Sequence, residues 1–460
     1  MRLRSFYVII FTALLASGLL SFSGGFGILR SPEFVVAAQF GSVPIFEEIN
    51  VDDELGESDG VEIADVDHDG LNELVWLGSW FSVDAHHTMR YYDNESGMLT
   101  GYDILDVPIG WEMDTGDVDN DGQVEIAWGA YSSFENEVRA YDYVDDHWVE
   151  CNITDISGPL EEVMVNHVAI GDVDNDGLNE LAIGLNEHAY FNRSVWPEVD
   201  YTVRYYKNES EGWTEYLVGD SGYDVEVVEI GDVDNDGENE LLVGLKWWSI
   251  FVYPDPPPVP YELRYYEYEL GSWVEHNITD LPNDVGRRAV KIGDIDHDGL
   301  NEVVVGTVGG SEGINQLRYF KYDVGGWTEY IVTEIESYFH ALEIGDLDND
   351  GFNEIVAGIV INEMYELRYF KYGLGVWTEY NIADPNITVF SIAIGDLDND
   401  GQNEVAMGLM SNPGFELRYY ELTGFIEAPP VLPWLIIGVI IVVVSVTLVV
   451  SLTIYRRRKQ

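Results

Sequence analysis

Seven segments of the chain share one spelling, D-x-D-x-D-G-x-x-E, and they recur at nearly fixed spacing. They run from Asp65 to Glu73, Asp117 to Glu125, Asp172 to Glu180, Asp232 to Glu240, Asp294 to Glu302, Asp346 to Glu354 and Asp396 to Glu404. Successive starts lie 52, 55, 60, 62, 52 and 50 residues apart, a mean of about 55. That is the span of one four-stranded propeller blade, not of a short solenoid repeat.

The rest of each unit keeps its form as well. An alternating run ending in Ile-Gly-Asp, such as Val168 to Asp172, leads into the acidic segment, and an apolar run such as Glu180 to Leu185 leaves it. These read as strands one and two of a hairpin. A third element carries L/V-R-Y-Y/F, as in Val203 to Tyr206, and a fourth begins at Trp148, Trp213, Trp273, Trp327 or Trp377. The last unit stops after its third element, Glu416 to Tyr420, while Ile45 to Val51 ahead of the first loop resembles a fourth. An N-terminal strand completing the last blade would close the ring and remove the exposed sheet edges. The expectation is an all-β, seven-bladed β-propeller over residues 45–422.

Three carboxylates at alternate positions of a tight loop converge on one point, the glycine at position 6 permits the turn, and the acid at position 9 closes the far side. An all-oxygen cage with flexible carboxylates suits a hard cation and favours calcium over magnesium. An EF-hand shares the first half but needs Glu at position 12. That position holds Trp76, Trp128, Ile183, Val243, Val305, Ala357 and Met407, which fit strand two instead.

On these residues the chain resembles the FG-GAP or VCBS repeat proteins, whose repeats build the propeller at the head of integrin alpha subunits and of many microbial surface proteins. The resemblance covers about residues 45–422. It implies calcium, up to seven ions, with at least five of the loops occupied. The implied ligands are Asp65, Asp67, Asp69 and Glu73; Asp117, Asp119, Asp121 and Glu125; Asp172, Asp174, Asp176 and Glu180; Asp232, Asp234, Asp236 and Glu240. In the last three units they are Asp294, Asp296, Asp298 and Glu302; Asp346, Asp348, Asp350 and Glu354; Asp396, Asp398, Asp400 and Glu404. Position 9 is commonly Asp in the family and is Glu in all seven units here, and the Phe-Gly of the family name is absent from the repeats.

The ends of the chain differ from its middle. Met1 to Arg4 followed by an apolar stretch to Phe22 predicts an export signal or N-terminal anchor over residues 1–25. Residues 423–433 read as a proline-containing stalk. Trp434 to Tyr455 is an uncharged run of 22 residues, long enough for a C-terminal transmembrane helix. The tail that follows, residues 456–460, holds Arg456, Arg457, Arg458 and Lys459, a cluster that stays on the cytoplasmic side. The expected topology is a single-pass type I membrane protein with its propeller outside the cell. All 84 acidic residues lie between Glu33 and Glu427, against 15 basic ones, a net of −69 within a whole-chain charge of −62. Such acidity excludes a nucleic-acid partner, which needs a basic face. With Cys151 as the sole cysteine there is no intramolecular disulfide, and its strand-like surroundings predict a small half-buried residue.

Recognition is expected where the units differ. Residues 186–201 and 246–261 are long insertions in neighbouring units, rich in Tyr190, Phe191, Trp196, Trp247, Trp248, Phe251 and Tyr253. An aromatic, proline-stiffened patch offers stacking area at low entropic cost and is the candidate ligand surface. A smaller insertion carries Trp80, Phe81, His86 and His87, a weak metal pair for want of a third ligand. The Arg of each third element, Arg90, Arg139, Arg204, Arg264, Arg318, Arg368 and Arg418, reads as a structural partner for carboxylates. Sequons stand at Asn94, Asn152, Asn192, Asn208, Asn277 and Asn386. No G-x-S-x-G, H-E-x-x-H or phosphate-loop spelling occurs. The reading is a non-enzymatic, calcium-binding surface propeller for adhesion or for recognition of an extracellular protein or glycan. The alternative is an extracellular carbohydrate-active enzyme on the same scaffold, a polysaccharide lyase or glycosidase.

Overall fold

The computed structural model describes residues 42–427 apart from 56, 80–86, 95–97, 108–109, 131–136, 157–162, 188–201, 223, 247–260, 282, 309–314, 337, 362–363, 386 and 411–414. The export signal, the transmembrane run and the aromatic insertions therefore lie outside the described residues, as do Asn192 and Asn386. Among the described residues no helix is long and apolar enough to cross a membrane.

Pro44–Gly424 form one compact unit, and every element described is a β-strand. The third repeat shows the pattern. Val163–Gly171 pairs antiparallel with Glu180–Glu187, that strand with Thr202–Glu209, and that one with Gly212–Asp220. Each acidic segment is the turn between strands one and two, so its first Asp follows one strand and its Glu opens the next. The same order holds in the other repeats, with two variations. The fifth and sixth sets share a single parallel pairing, Arg288 with Ala341, and count as one eight-stranded sheet. The seventh set takes its fourth strand from the other end of the chain: Ser42–Leu55 lies beside Phe415–Glu427. Tyr420 donates to Glu48 at 2.8 Å across that pairing.

First strands pack against first strands in sequence order, and that of the seventh set, Thr388–Gly395, meets that of the first, Glu57–Ala64. The arrangement is propeller-like. The recurring Ile-Gly-Asp is explained at these seams. A Cβ on Gly171 would stand 2.9 Å from Ile230 of the next set, and one on Gly395 would stand 2.9 Å from Ile63 of the first. Strand two is buried over its middle. Trp76, Trp128, Ile183, Val243, Val305, Ala357 and Met407 are all 0–1% exposed, the environment an EF-hand's twelfth residue does not have. The apolar clusters bridge neighbouring sets. One joins Val61, Leu74 and Trp76 of the first repeat to Ala393, Leu397 and Leu417 of the last.

Strand four is the outer edge. Its Trp residues are only half-buried, and Trp148, Trp273, Trp327 and Trp377 pack edge-on against a tyrosine of the preceding set, as Trp273 does on Tyr205 at 5.7 Å. Cys151 sits on this edge and is exposed, not half-buried as its sequence surroundings predict, and Trp213 donates to its sulfur at 3.3 Å. The alternation of strand four fixes which side faces the sheet, but not that this strand has no neighbour beyond it. The third-strand Arg marks a β-bulge against strand four in the first six sets, from Met89/Arg90 to Leu367/Arg368. Within one sheet these guanidiniums pair with carboxylates, Arg90 with Asp103, Arg204 with Glu215 and Arg418 with Glu48, and Arg90 also reaches Asp52 on the fourth strand of the seventh set.

Candidate metal centres

Each acidic loop is folded by its own backbone amides. The N–H of the position-6 glycine donates to Oδ2 of the first Asp in all seven loops, from Gly70 to Asp65 at 3.0 Å through Gly401 to Asp396 at 2.9 Å. These glycines have φ of 85° to 96°, the left-handed region where a Cβ is strained. The position-2 N–H donates to Oε2 of the Glu, as Val66 does to Glu73 at 2.9 Å and Leu397 to Glu404 at 2.8 Å. The extra methylene of Glu, compared with Asp, lets it reach back to this amide while its other oxygen faces the loop.

The remaining oxygens converge. In the second and third loops, oxygens of Asp117, Asp119, Asp121 and Glu125, and of Asp172, Asp174, Asp176 and Glu180, lie within 4.8 Å of one another. Asp65, Asp67 and Glu73, and Asp232, Asp234 and Glu240, do the same. Glu73, Glu125, Glu240 and Glu404 are 0–2% exposed, and their Oε1 atoms have no hydrogen-bond partner. A buried carboxylate oxygen left this way is costly unless a cation or proton meets it. Burial is the first cause that pushes Glu73, Glu125 and Glu240 up to about 8 and Glu180, Glu302, Glu354 and Glu404 up to about 7. The donor set, all oxygen and mostly carboxylate, fits a hard divalent cation.

Three loops hold a cation of the chain's own. Lys207 Nζ lies 2.7 Å from Asp174, 2.6 Å from Asp176 and 3.3 Å from Glu180. Lys321 makes the same three contacts in the fifth loop and Lys371 in the sixth. Sequence reasoning missed these lysines. The signal was present, because each stands three residues after the recurring Arg.

It also missed what links the loops. Positions 4 and 8, treated as free in the repeat, form a chain of cross-set hydrogen bonds. Asn120 donates to the Asn179 carbonyl at 2.9 Å, the Asn179 N–H donates to Asn120 Oδ1 at 2.7 Å, and the Asn179 amide donates to the Asp117 carbonyl at 3.0 Å. The pattern repeats from Asn175 to Asn239 and from Asn235 to Asn301, and it returns from Asn399 to Asn72. His68 and His297 take the position-4 role through Nε2, on the Val124 and Asn353 carbonyls. All seven position-4 residues have φ of 56° to 65°, which Asn and His tolerate better than most side chains.

Inside the ring of first strands lies a small, partly open cavity lined by Glu62, Asp114, Glu229, Lys291 and Glu343 among others. Lys291 lies 3.0 Å from Glu229 and 3.3 Å from Glu343, on the sets to either side of its own. Burial is the first cause raising Glu62 well above the ordinary carboxylate range, and it also raises Asp114.

With the fold and loops in place, the family comparison is decisive for one region. Residues 294–357 match the family model of the FG-GAP-like repeat. The chain carries an FG-GAP-like repeat. The match begins at the first Asp of the fifth loop and ends in strand two of the sixth repeat, so it spans one full interval between acidic loops. No curated protein matches the chain.

Proposed function

We propose that this FG-GAP repeat chain is a calcium-binding cell-surface protein. Its seven four-stranded sets are the blades of a closed propeller over residues 45–422, carried on the stalk at 423–433 by a single transmembrane helix at 434–455. Residues 1–25 direct export and 456–460 remain in the cytoplasm. The propeller serves adhesion or recognition of an extracellular protein or glycan, with the aromatic insertions at 186–201 and 246–261 as the contact surface.

One observation carries the metal half of this reading. Buried carboxylate oxygens converge in the loops with no protein partner, at the place where a lysine ammonium sits in three sister loops. The FG-GAP-like repeat supports an extracellular adhesive propeller in general terms. The test of the recognition half is a glycan and protein array probed with the full chain, with and without chelator. Replacing Trp247→Ala and Trp248→Ala should lower binding to whatever the array captures, while calcium uptake stays intact. Unchanged capture would remove the insertions from the account.

The enzyme alternative draws on the central cavity, where acids interrupt the repeat: the residue before each Ile-Gly-Asp is Glu229, Lys291 or Glu343 in some sets and Ala169 or Ala393 in others. Lys291 neutralises part of this group, which favours a structural role. Cleavage of an acidic polysaccharide, abolished by Glu62→Gln with Asp114→Asn, would reverse that preference.

A further inference from the structure

The seven loops are not equivalent, and the residue three after the third-strand Arg separates them. In the third, fifth and sixth repeats it is Lys207, Lys321 and Lys371; in the first, second, fourth and seventh it is Asp93, Asp142, Glu267 and Glu421. The lysines place an ammonium on the Asp of position 3, the Asp of position 5 and the Glu. The acids face the same groups: Asp93 acts electrostatically on Asp67, Asp142 on Asp119 and Glu125, Glu267 with Asp234 and Asp236, Glu421 with Asp398 and Asp400. In the fourth repeat the acid also has His276 at 3.1 Å.

A second difference follows the same division. In the lysine loops the position-5 N–H donates to Oδ1 of the first Asp, at 3.0 Å for Asp172, 3.2 Å for Asp294 and 2.9 Å for Asp346. In the first, second and seventh loops that N–H turns to the Asp of position 3 instead. The first-Asp oxygen it leaves behind has no partner in the first, second, fourth or seventh loop: Asp65, Asp117, Asp232 and Asp396. These loops therefore present an open oxygen from the first Asp, an open and buried oxygen from the Glu, and a fifth carboxylate. The lysine loops have spent the first oxygen on backbone and given the second a cation.

We propose that loops one, two, four and seven each take a divalent cation from solution, whereas loops three, five and six are closed by the chain's own lysines. The inference rests on the calcium reading above and narrows it, from up to seven ions to four. In a lysine loop a divalent ion has to expel an ammonium held by three carboxylates. In an acid loop it meets five carboxylates and no lysine to displace.

The test counts calcium bound to the full 460-residue chain in detergent, by equilibrium dialysis at about 1 mM calcium, the level that fills extracellular modules. Sodium chloride at about 0.5 M screens the diffuse acidity. The wild type should bind four ions. Lys207→Glu should bind five, and Asp142→Lys three, each variant borrowing the residue its sister repeats carry. A wild-type count of seven, or variants that leave the count unchanged, overturns the division while calcium binding itself stands. A count of zero overturns both.

Discussion

At the residue scale, the asparagines at positions 4 and 8 do what the aspartates between them cannot. The aspartates fold each loop on itself, whereas Asn120, Asn179 and their counterparts tie each loop to the next. Asn179→Ala removes a half-buried side-chain bond to the Asp117 carbonyl of the preceding loop and should cost about 0.5–1.5 kcal/mol in thermal or denaturant unfolding. A change within error would show that the ladder does not bear on stability. One seam is incomplete: the second loop has Val124 at position 8, so no side-chain amide reaches back to the first loop, and His68 meets only the Val124 carbonyl. The two Asn positions were visible as letters in the repeat and went unread because their partners lie some 60 residues away, on another sheet. The four acids and the glycine were readable because their partners lie within nine residues, where spacing alone fixes the geometry.

At the scale of the loop and hairpin, proton and metal compete for one set of oxygens. Glu73, Glu125 and Glu240 titrate at about 8 without metal, far above the ordinary value near 4.3. The metal-free folded chain then holds protons that the unfolded chain has released, so raising the pH from 5 through 8 withdraws stability from it. On the proposed reading, calcium would take the place of those protons. Its affinity should rise by up to about tenfold per pH unit below 8 and level off above, read by calorimetric titration at pH 6, 7 and 8.5. A pH-independent affinity would mean that these glutamates are not ligands. The same hairpins explain which strands were legible. Strands one to three carry Ile-Gly-Asp, the apolar run and the Arg-aromatic pair, each buried on a sheet face. Strand four is exposed or half-buried along nearly all of its length, with one residue of the nine from Gly212 to Asp220 buried, so its neighbours could not be inferred from hydrophobicity.

At the scale of the whole molecule, the repeat spacing and the two incomplete ends were enough to foresee an all-β chain whose N-terminal strand joins its last sheet. Spacing could not show how tightly the seams close. That depends on pairs such as Gly184 with Val225, where a Cβ would stand 2.5 Å from Cγ1. Gly184→Val overpacks this seam and should cost about 1–3 kcal/mol with calcium binding at distant loops unaffected. Within the account, metal and seams act together, because loops stiffened by calcium are the same loops joined by the asparagine ladder. At tenfold excess over its dissociation constant, each bound ion adds about 1.4 kcal/mol to folding, so four ions add about 6 kcal/mol. The most direct measurement is the thermal unfolding of the chain in EDTA and in about 2 mM calcium. A melting temperature several degrees higher in calcium, shifting upward as calcium is titrated in, is the result this account predicts. The same melting temperature in both solutions would contradict it.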